Sequence, residues 1–392
     1  MKVCVVGGGG REHALAHVLG RTAEVVRTRA DPGGVDADLY VIGPEQPLVA
    51  GLADRLRADG HLVFGPGADG ARLEGSKAWM KEVLVEAGVP TAAHGTFDEL
   101  EPAIQFLKSL PGLYVVKTDG LAGGKGVLVT ESIDEAVDDV RSKLDGSSFG
   151  AAGRKVVIEE GLRGPELSLL AVCDGRKAVP LEPARDYKRL LDGGAGPNTG
   201  GMGAYSPVEE AGPGLVEEVM DRAVGPTLAY LQRMGVDYRG VLYAGLMLTP
   251  EGPKVLEYNV RFGDPEAQVV LPRFSGDLAA FLYEAAAGRL TIEASFAEDA
   301  CVTVVLAAEG YPASPRSGDV VAGVEEAEAV EGVVVFHAGV YRDGEGRLVT
   351  AGGRVLDVTA LGPDLEEARR RAYEAVAHIS FPGVQYRGDV AA

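Results

Sequence analysis

The chain has 392 residues, 46% of them apolar and 24% charged, and carries a formal net charge of −20. That length suits two to four domains, with ample apolar material for several cores. So acidic a balance excludes nucleic acid and anionic membrane as docking partners, because neither would meet a basic surface. The three cysteines, Cys4, Cys173 and Cys301, are far apart and each sits in an apolar run. Buried free thiols are expected rather than a disulfide framework. No apolar run approaches a membrane span, and Met1-Lys2 leads at once into a strand with no signal-peptide pattern. A cytoplasmic protein is expected.

The first block runs over residues 1–75. Val3-Cys4-Val5-Val6 reads as a buried parallel strand, followed by Gly7-Gly8-Gly9-Gly10 and a helical stretch from Arg11 to Leu19. Strand, glycine loop and helix place backbone N–H groups where an anion can sit. The dinucleotide fingerprint G-x-G-x-x-G is not met, because Glu12 stands in the third glycine's place. A second strand over Asp38–Ile42 leads into Gly43-Pro44-Glu45 and a helix through Leu56, and His61 to Phe64 gives another strand. Alternating β and α elements imply a parallel sheet whose ligand lies at the carboxyl ends of the strands. Gly9, Arg11, Pro44 and Glu45 all fall at such ends.

The second block spans 76–290. After a helix from Lys77 to Ala87, the runs Tyr114–Thr118 and Val127–Thr130 flank a loop holding Gly120, Gly123, Gly124, Lys125 and Gly126. This reads as a hairpin. Its glycines let backbone N–H groups approach phosphate oxygens, and Lys117 and Lys125 add point charges. The Walker A spacing is absent, and on its own the loop reads as a flexible turn. Ser132 to Glu135 is a capping box opening a helix to Leu144. The strand Lys155–Glu160 leads through Gly161-Leu162-Arg163-Gly164-Pro165 to Glu166. Backbone groups near Leu162 and the Glu166 carboxylate suit an adenine edge and ribose hydroxyls, and an ordinary acidic hairpin fits the spacing as well. Arg185 to Arg189 and Gly196 to Pro207 follow. The latter run, without strand or helix pattern, is either a disordered link or a substrate-shaping loop.

Lys254 to Val260 reads as a strand, so Glu257 and Asn259 share one face while Leu256, Tyr258 and Val260 take the other. A carboxylate and an amide oxygen side by side make a hard, oxygen-only site of the kind Mg²⁺ prefers. A loop with Arg261, Asp264 and Glu266 follows. A polar strand end would look the same in isolation. Together with the glycine-rich hairpin, the pair suggests a nucleotide held between two sheets. The third block, 291–392, carries apolar runs at Cys301–Ala307, Val333–Phe336 and Arg354–Val358 and a helix opened by Pro363-Asp364. It reads as a small sheet with a covering helix.

Several of these segments carry a resemblance. Gly9-Gly10-Arg11-Glu12-His13-Ala14-Leu15, Gly43-Pro44-Glu45, Glu74-Gly75-Ser76-Lys77 and the run Gly120 to Val127 come first. Gly196 to Pro207, Tyr243 to Met247, Glu257 to Glu266 and Phe336 to Gly339 follow in order. The chain resembles the glycinamide ribonucleotide synthetase (phosphoribosylamine–glycine ligase) family of ATP-grasp ligases. The resemblance implies an α/β fold: a parallel-sheet pre-ATP-grasp domain, an ATP-grasp fold with a hairpin lid at about 113–175, and a small C-terminal α+β domain. It implies ATP and Mg²⁺ (or Mn²⁺) as cofactors, with Glu257 and Asn259 as metal ligands. Lys77, Lys117 and the loop with Gly123, Gly124, Lys125 and Gly126 would grip the triphosphate. Glu159, Glu160, Leu162 and Glu166 would hold the adenosine. Gly9, Gly10, Arg11, Glu12, Pro44 and Glu45 would face 5-phosphoribosylamine. Asp186, Lys188 and Arg261 would lie around glycine and the transferring phosphoryl, with Lys117, Arg261 and Asp264 catalytic. The implied partners are these small molecules, and a monomer is expected.

The chain departs from the family at Pro32-Gly33-Gly34-Val35, which runs almost directly into Asp38-Leu39-Tyr40. About one βα unit is missing there, so a shortened first sheet is expected. Gly34 and Gly8 also replace asparagines common in the family, on the phosphoribosylamine side. A nicotinamide-dependent oxidoreductase would use the first βα unit and Asp31 but leave the second block idle. A non-catalytic nucleotide-binding protein would leave Glu257, Asn259, Lys117 and Lys125 without purpose. A sister ATP-grasp ligase joining another carboxylate and amine is the nearer alternative.

Overall fold

The computed structural model describes residues 1–121, 126–146 and 154–392. Strand β1 (Lys2–Val6) is fully flanked: β2 (Glu24–Thr28) pairs on one side and β3 (Leu39–Ile42) on the other, with β4 (Val63–Phe64) beyond β3. All pairings are parallel. Helix α1 (Gly10–Leu19) returns from β1 to β2. Residues 29–38 then cross from β2 to β3 without a helix. The first sheet is thus short, with β2 at its edge. The helix expected through Leu56 is broken in two, Glu45–Val49 and Leu52–Ala58, by Gly51 at φ +80°. That left-handed conformation favours glycine and ends the first helix.

Two antiparallel sheets form the middle of the molecule. One orders Ala178–Pro180, Glu166–Asp174, Arg239–Thr249 and Gly252–Asn259. The other orders His94–Phe97, Val156–Glu160, Tyr114–Thr118 and Val127–Thr130, and includes the expected hairpin. Helices Leu100–Ser109 and Ile133–Leu144 cover this second sheet with a separate small core around Ala103, Val116, Val140 and Ile158. Ser132 caps the second helix by accepting from the Glu135 amide, which satisfies one of the otherwise orphaned N–H groups of the first turn.

The third sheet orders Arg185–Asp186, Gly203–Ser206, Ala300–Ala307, Arg354–Gly362 and Val333–His337, with helix Leu365–Val376 packed on it. Gly203–Ser206 differs from its sequence reading, which showed no strand pattern there. Tertiary burial overrides its weak propensity. Met202, Ala204 and Ser206 are wholly buried, and Gly203 admits the neighbouring strand because a Cβ there would lie 2.7 Å from the Thr303 carbonyl oxygen. The three cysteines are buried and free, as expected. Among the described residues no helix is long and apolar enough to cross a membrane.

The three regions meet at the start of α1. A Cβ on Gly10 would lie 1.8 Å from Oδ2 of Asp357, on the strand Arg354–Gly362. Gly10→Ala should therefore destabilise the protein by about 1–3 kcal/mol, the usual cost of overpacking. Adding Asp357→Ala should restore part of the loss, seen as recovery of the urea midpoint. Strict additivity of the two changes would show that this contact is not the cause.

Candidate active site

Glu257 lies on the strand Gly252–Asn259 opposite Gly245. A Cβ on Gly245 would come within 3.3 Å of the Glu257 Cγ, so the glycine leaves room for the carboxylate to lie across the neighbouring strand. Tyr258 points to the opposite face, where its hydroxyl meets Thr227 at 2.9 Å in the core. Alternation therefore delivers Glu257 and Asn259 to one side, where both line a cavity of about 320 Å³. Burial alone would push the Glu257 pKa up, but Lys117, Lys188, Lys77 and Arg261 outweigh it and hold the carboxylate below its usual range. Among the described residues its carboxylate has no hydrogen-bond or ion-pair partner. Asn259 Oδ1 accepts from Arg261 at 3.3 Å.

The cations are placed by carboxylates. Lys117 Nζ is 2.7 Å from Glu159 Oε1 and donates to the Leu256 carbonyl at 3.0 Å. Glu159 also takes Lys81 Nζ at 2.8 Å, with both lysines and the glutamate almost wholly buried. Burial drives Lys81 down to about 8, against the opposing pull of Glu159. Lys77 donates to the Gly120 carbonyl at 2.9 Å. Lys188 bridges Glu166 at 2.6 Å and Asp186 at 2.8 Å. Burial lifts Asp186 to about 6, with Lys188 opposing and Glu266 and Glu166 adding to the rise. Arg261 is held at 2.9 Å by Glu74, whose other oxygen accepts from the Val260 amide at 2.8 Å, and lies 3.4 Å from Glu45.

Of the residues proposed from sequence, Arg11, Glu45, Lys77, Gly126, Asp186, Lys188, Glu257, Asn259, Arg261 and Asp264 share the cavity lining. Lys117 and Glu159 form the charged layer behind Glu257. Glu160, Leu162 and Glu166 lie along the segment 160–166 and do not line the cavity; Glu160 accepts from the Ala93 amide at 3.0 Å. Gly9, Gly10, Glu12 and Pro44 also lie off the lining. Glu12 folds back onto the Gly9 amide at 2.7 Å and onto Arg11 Nε at 2.7 Å. Gly123, Gly124 and Lys125 lie outside the described residues.

Several site residues were not singled out from sequence. Lys81 carried a usable signal, since it stands one helical turn after Lys77 on the same face. Tyr243 donates to Glu266 at 2.6 Å and meets Ser168 at 2.9 Å, deep under the cavity. Arg354 donates to the Gly200 carbonyl at 2.7 Å and the Asp264 carbonyl at 2.8 Å, and pairs with the Asp264 carboxylate at 2.8 Å. Gln268 Nε2 bridges Asp264 at 2.7 Å and Asp357 at 2.9 Å. Nothing local in the sequence marks the Arg354–Asp264 and Gln268–Asp357 contacts, which span about ninety positions.

Two antiparallel sheets facing a cation-lined cavity behind a parallel-sheet domain define the ATP-grasp class. The solved biotin carboxylase domain of the Hydrogenobacter thermophilus 2-oxoglutarate carboxylase shares this fold, with a TM-score of 0.72 over 98% of this chain and 91% of that one at 18% identity. Residues 33–74, 75–267 and 301–392 match the N, ATP-grasp (A) and C domains of phosphoribosylglycinamide synthetase. The chain belongs to that family. It is 46% identical to the phosphoribosylamine–glycine ligase of Streptomyces coelicolor over 422 positions, covering 100% of this chain and 99% of that one. The Brucella melitensis ligase is 43% identical over 417 positions, covering 100% and 97%. The crystal structure of the Thermotoga maritima ligase superposes with a TM-score of 0.89 at 36% identity, covering 99% and 100%.

The Asp357 carboxyl supplies a test of this junction. Burial and the neighbouring Asp264 carboxylate push it from 3.8 up to about 7, with Arg354 opposing. Between those two values the folded protein keeps a proton that the unfolded chain has shed, so stability falls as pH rises through that window. Asp357→Asn should remove this component. Urea unfolding at pH 5 and pH 8 should show the variant gaining on the parent protein by up to a few kcal/mol at the higher pH. An equal difference at both pH values would mean that Asp357 titrates normally.

Proposed function

We propose that this chain joins glycine to 5-phosphoribosylamine with ATP, giving glycinamide ribonucleotide, ADP and phosphate through glycyl phosphate. The observation that carries the reading is the meeting of all three family regions at one cavity lined by Lys77, Lys188, Arg261 and the Glu257 carboxylate, which is unpaired among the described residues. A carboxylate beside an amide oxygen, in a ring of cations and with no partner among the described residues, fits an oxygen-binding divalent ion. Glu257 and Asn259 would hold Mg²⁺ (or Mn²⁺). When bound, the ion would neutralise charge on the phosphate oxygens.

The protein's own residues position and neutralise. Glycine's carboxylate is a poor electrophile, since its charge repels nucleophiles and oxide does not leave. Transfer of the γ-phosphoryl to that carboxylate oxygen provides a leaving group and splits one hard step into two. Lys117, fixed by Glu159, and Lys77 would face the triphosphate. Arg261, held by Glu74 and Glu45, would orient the carboxylate that receives the phosphoryl, and Asp186 would accept from glycine's ammonium. The amine of phosphoribosylamine then attacks the carbonyl carbon and expels phosphate. The glycine-rich hairpin would keep water from the acyl phosphate. A soluble cytoplasmic monomer acting on small molecules belongs to the same reading.

Ligation with ¹⁸O-labelled glycine carboxylate should put label into the released phosphate. AMP and pyrophosphate, or amide formed alongside unlabelled phosphate, would overturn the mechanism. Glu257→Gln removes one ligand charge while keeping the side chain's shape. It should lower kcat/KM by about 10²-fold or more, since several kcal/mol of charge stabilisation are at stake, and should raise the metal concentration needed for half-maximal rate. Unchanged turnover at limiting Mg²⁺ would remove Glu257 from the metal site.

A further inference from the structure

The helix N-terminus after a glycine loop is the expected anion seat of such a domain, yet here it is filled from within. Glu12 bonds the Gly9 amide, and side chains at Gly7 or Gly43 would collide with it: Cβ atoms there would lie 2.4 Å and 2.2 Å from its atoms. Gly7 sits at φ +127°, so glycine is favoured there on backbone grounds too. The seat at α1 is taken by the chain's own carboxylate.

A different cation cluster lies on the other side of the same loop. A cleft of about 270 Å³ opens between the carboxyl ends of β1 and β2 and the segment 337–342, which leaves the strand Val333–His337 and enters the two-stranded ribbon of Val340–Arg342 and Leu348–Thr350. Arg27, Arg29 and Arg342 line it together with Thr28 and the backbone of Gly7 and Gly8. In a chain of net charge −20, none of these three guanidiniums is paired with a carboxylate among the described residues. Arg29 donates to the Val340 carbonyl at 3.3 Å and Arg342 to the Gly346 carbonyl at 2.8 Å, and Arg27 has no hydrogen-bond partner there. Glu12 offsets Arg27 in part but is committed to Arg11 and Gly9. The neighbouring rings feel the excess. Burial first, then Arg27 and Arg342, push His337 down, and burial with Arg27 takes His13 to about 3. Strand carboxyl ends are where open parallel sheets take their ligands, and planar guanidinium forks match phosphate oxygens.

We propose that this cleft binds a phosphomonoester, its phosphate held by Arg27, Arg29 and Arg342. Gly7 and Gly8 line the cleft while Arg11, three residues on, lines the active cavity, so one glycine loop separates the two. The ligand is either the 5-phosphate end of the amine substrate, which rests on the ligase reading above, or a separate phosphorylated molecule.

Binding is measured on the full chain without ATP, using ribose 5-phosphate, inorganic phosphate and unphosphorylated ribose in calorimetric titrations. Ribose 5-phosphate should bind and ribose should not. Arg27→Ala combined with Arg342→Ala should weaken binding about tenfold for each arginine lost. The corresponding double lysine variant should retain part of the affinity, and Arg141→Ala, an exposed arginine on the helix Ile133–Leu144, should change nothing. If ribose 5-phosphate also competes with the amine during ligation, and the alanine variant raises KM for the amine at constant kcat, the phosphate belongs to the substrate. Non-competitive binding with an unmoved KM assigns the cleft to a separate phosphorylated ligand. Equal ribose 5-phosphate affinity in the parent protein and the double alanine variant overturns the proposal. Because binding is read without turnover, it stands or falls apart from the ligase reading.

Discussion

The ion pair between Arg261 and Glu74, with Glu45 beside it, joins the first region of the molecule to the strand that carries Glu257 and Asn259. Arg261 follows the strand that carries Glu257 and Asn259, while Glu74 lies in the last turn of the helix Ala68–Gly75 on the approach to the middle domain. Glu74 uses both oxygens, one on the guanidinium and one on the Val260 amide, so it sets the strand end as well as the side chain. Glu45 closes on the same arginine from the end of the parallel sheet. Breaking a buried pair by removing one partner costs about 3–5 kcal/mol, because a charge is left uncompensated. The orientation of the parallel sheet against the strand bearing Glu257 is thus tied to a charge pair that the cavity itself needs.

The same logic governs the rest of the cavity. An acidic chain that handles polyphosphate must gather cations and keep them apart until a ligand arrives. Here most are given a carboxylate at the rear: Glu159 for Lys117 and Lys81, Asp186 and Glu166 for Lys188, Glu74 and Glu45 for Arg261, while Lys77 rests on the Gly120 carbonyl. Burial costs each charge several kcal/mol. The pairing repays that cost only in part, as the depressed Lys81 shows. Glu257 is the exception, a carboxylate facing several cations with none bonded to it among the described residues. Its charge is held for something that enters the cavity.

What the sequence disclosed follows the range of the forces involved. Glu257 and Asn259 were legible because strand alternation is a two-residue rule, and the hairpin because glycine and β-branched runs punctuate it locally. The family-specific loops placed Asp186, Lys188 and Arg261 at the cavity before any contact was known. Arg354, Gln268 and Asp357 were not legible, because their meaning lies in contacts between the strand Arg354–Gly362 and the segment 264–268, some ninety residues apart. The strand Gly203–Ser206 was hidden for a related reason: its sequence is glycine-rich and its order comes from the strands it is pressed between. Glu159 illustrates a subtler limit. Its position on a strand was clear, but whether an acid beside a nucleotide site meets ribose or a buried lysine depends on the face it takes. The answer was set by two lysines on other elements.

The departure in the first domain can be weighed against this arrangement. The Brucella melitensis alignment spans 417 positions against 392 residues, leaving about 25 positions with no residue in this chain. The sheet that remains keeps β1 central, and the segments feeding the cavity, Gly7 to Arg11 and Gly43 to Glu45, leave β1 and β3 rather than β2. A unit lost beyond β2 therefore bares an edge of the sheet without disturbing Arg11 or Glu45. What it alters is the surroundings of β2, whose carboxyl end carries Arg27 and Arg29. Those two arginines stand exposed at the edge of a parallel sheet, where pairing to another strand or cover by a helix is the rule. Charge on an edge strand also opposes unwanted strand pairing. The same two residues thus keep the edge of the sheet solvated, and among the described residues neither guanidinium has a carboxylate partner, which is the condition the proposed anion cleft requires.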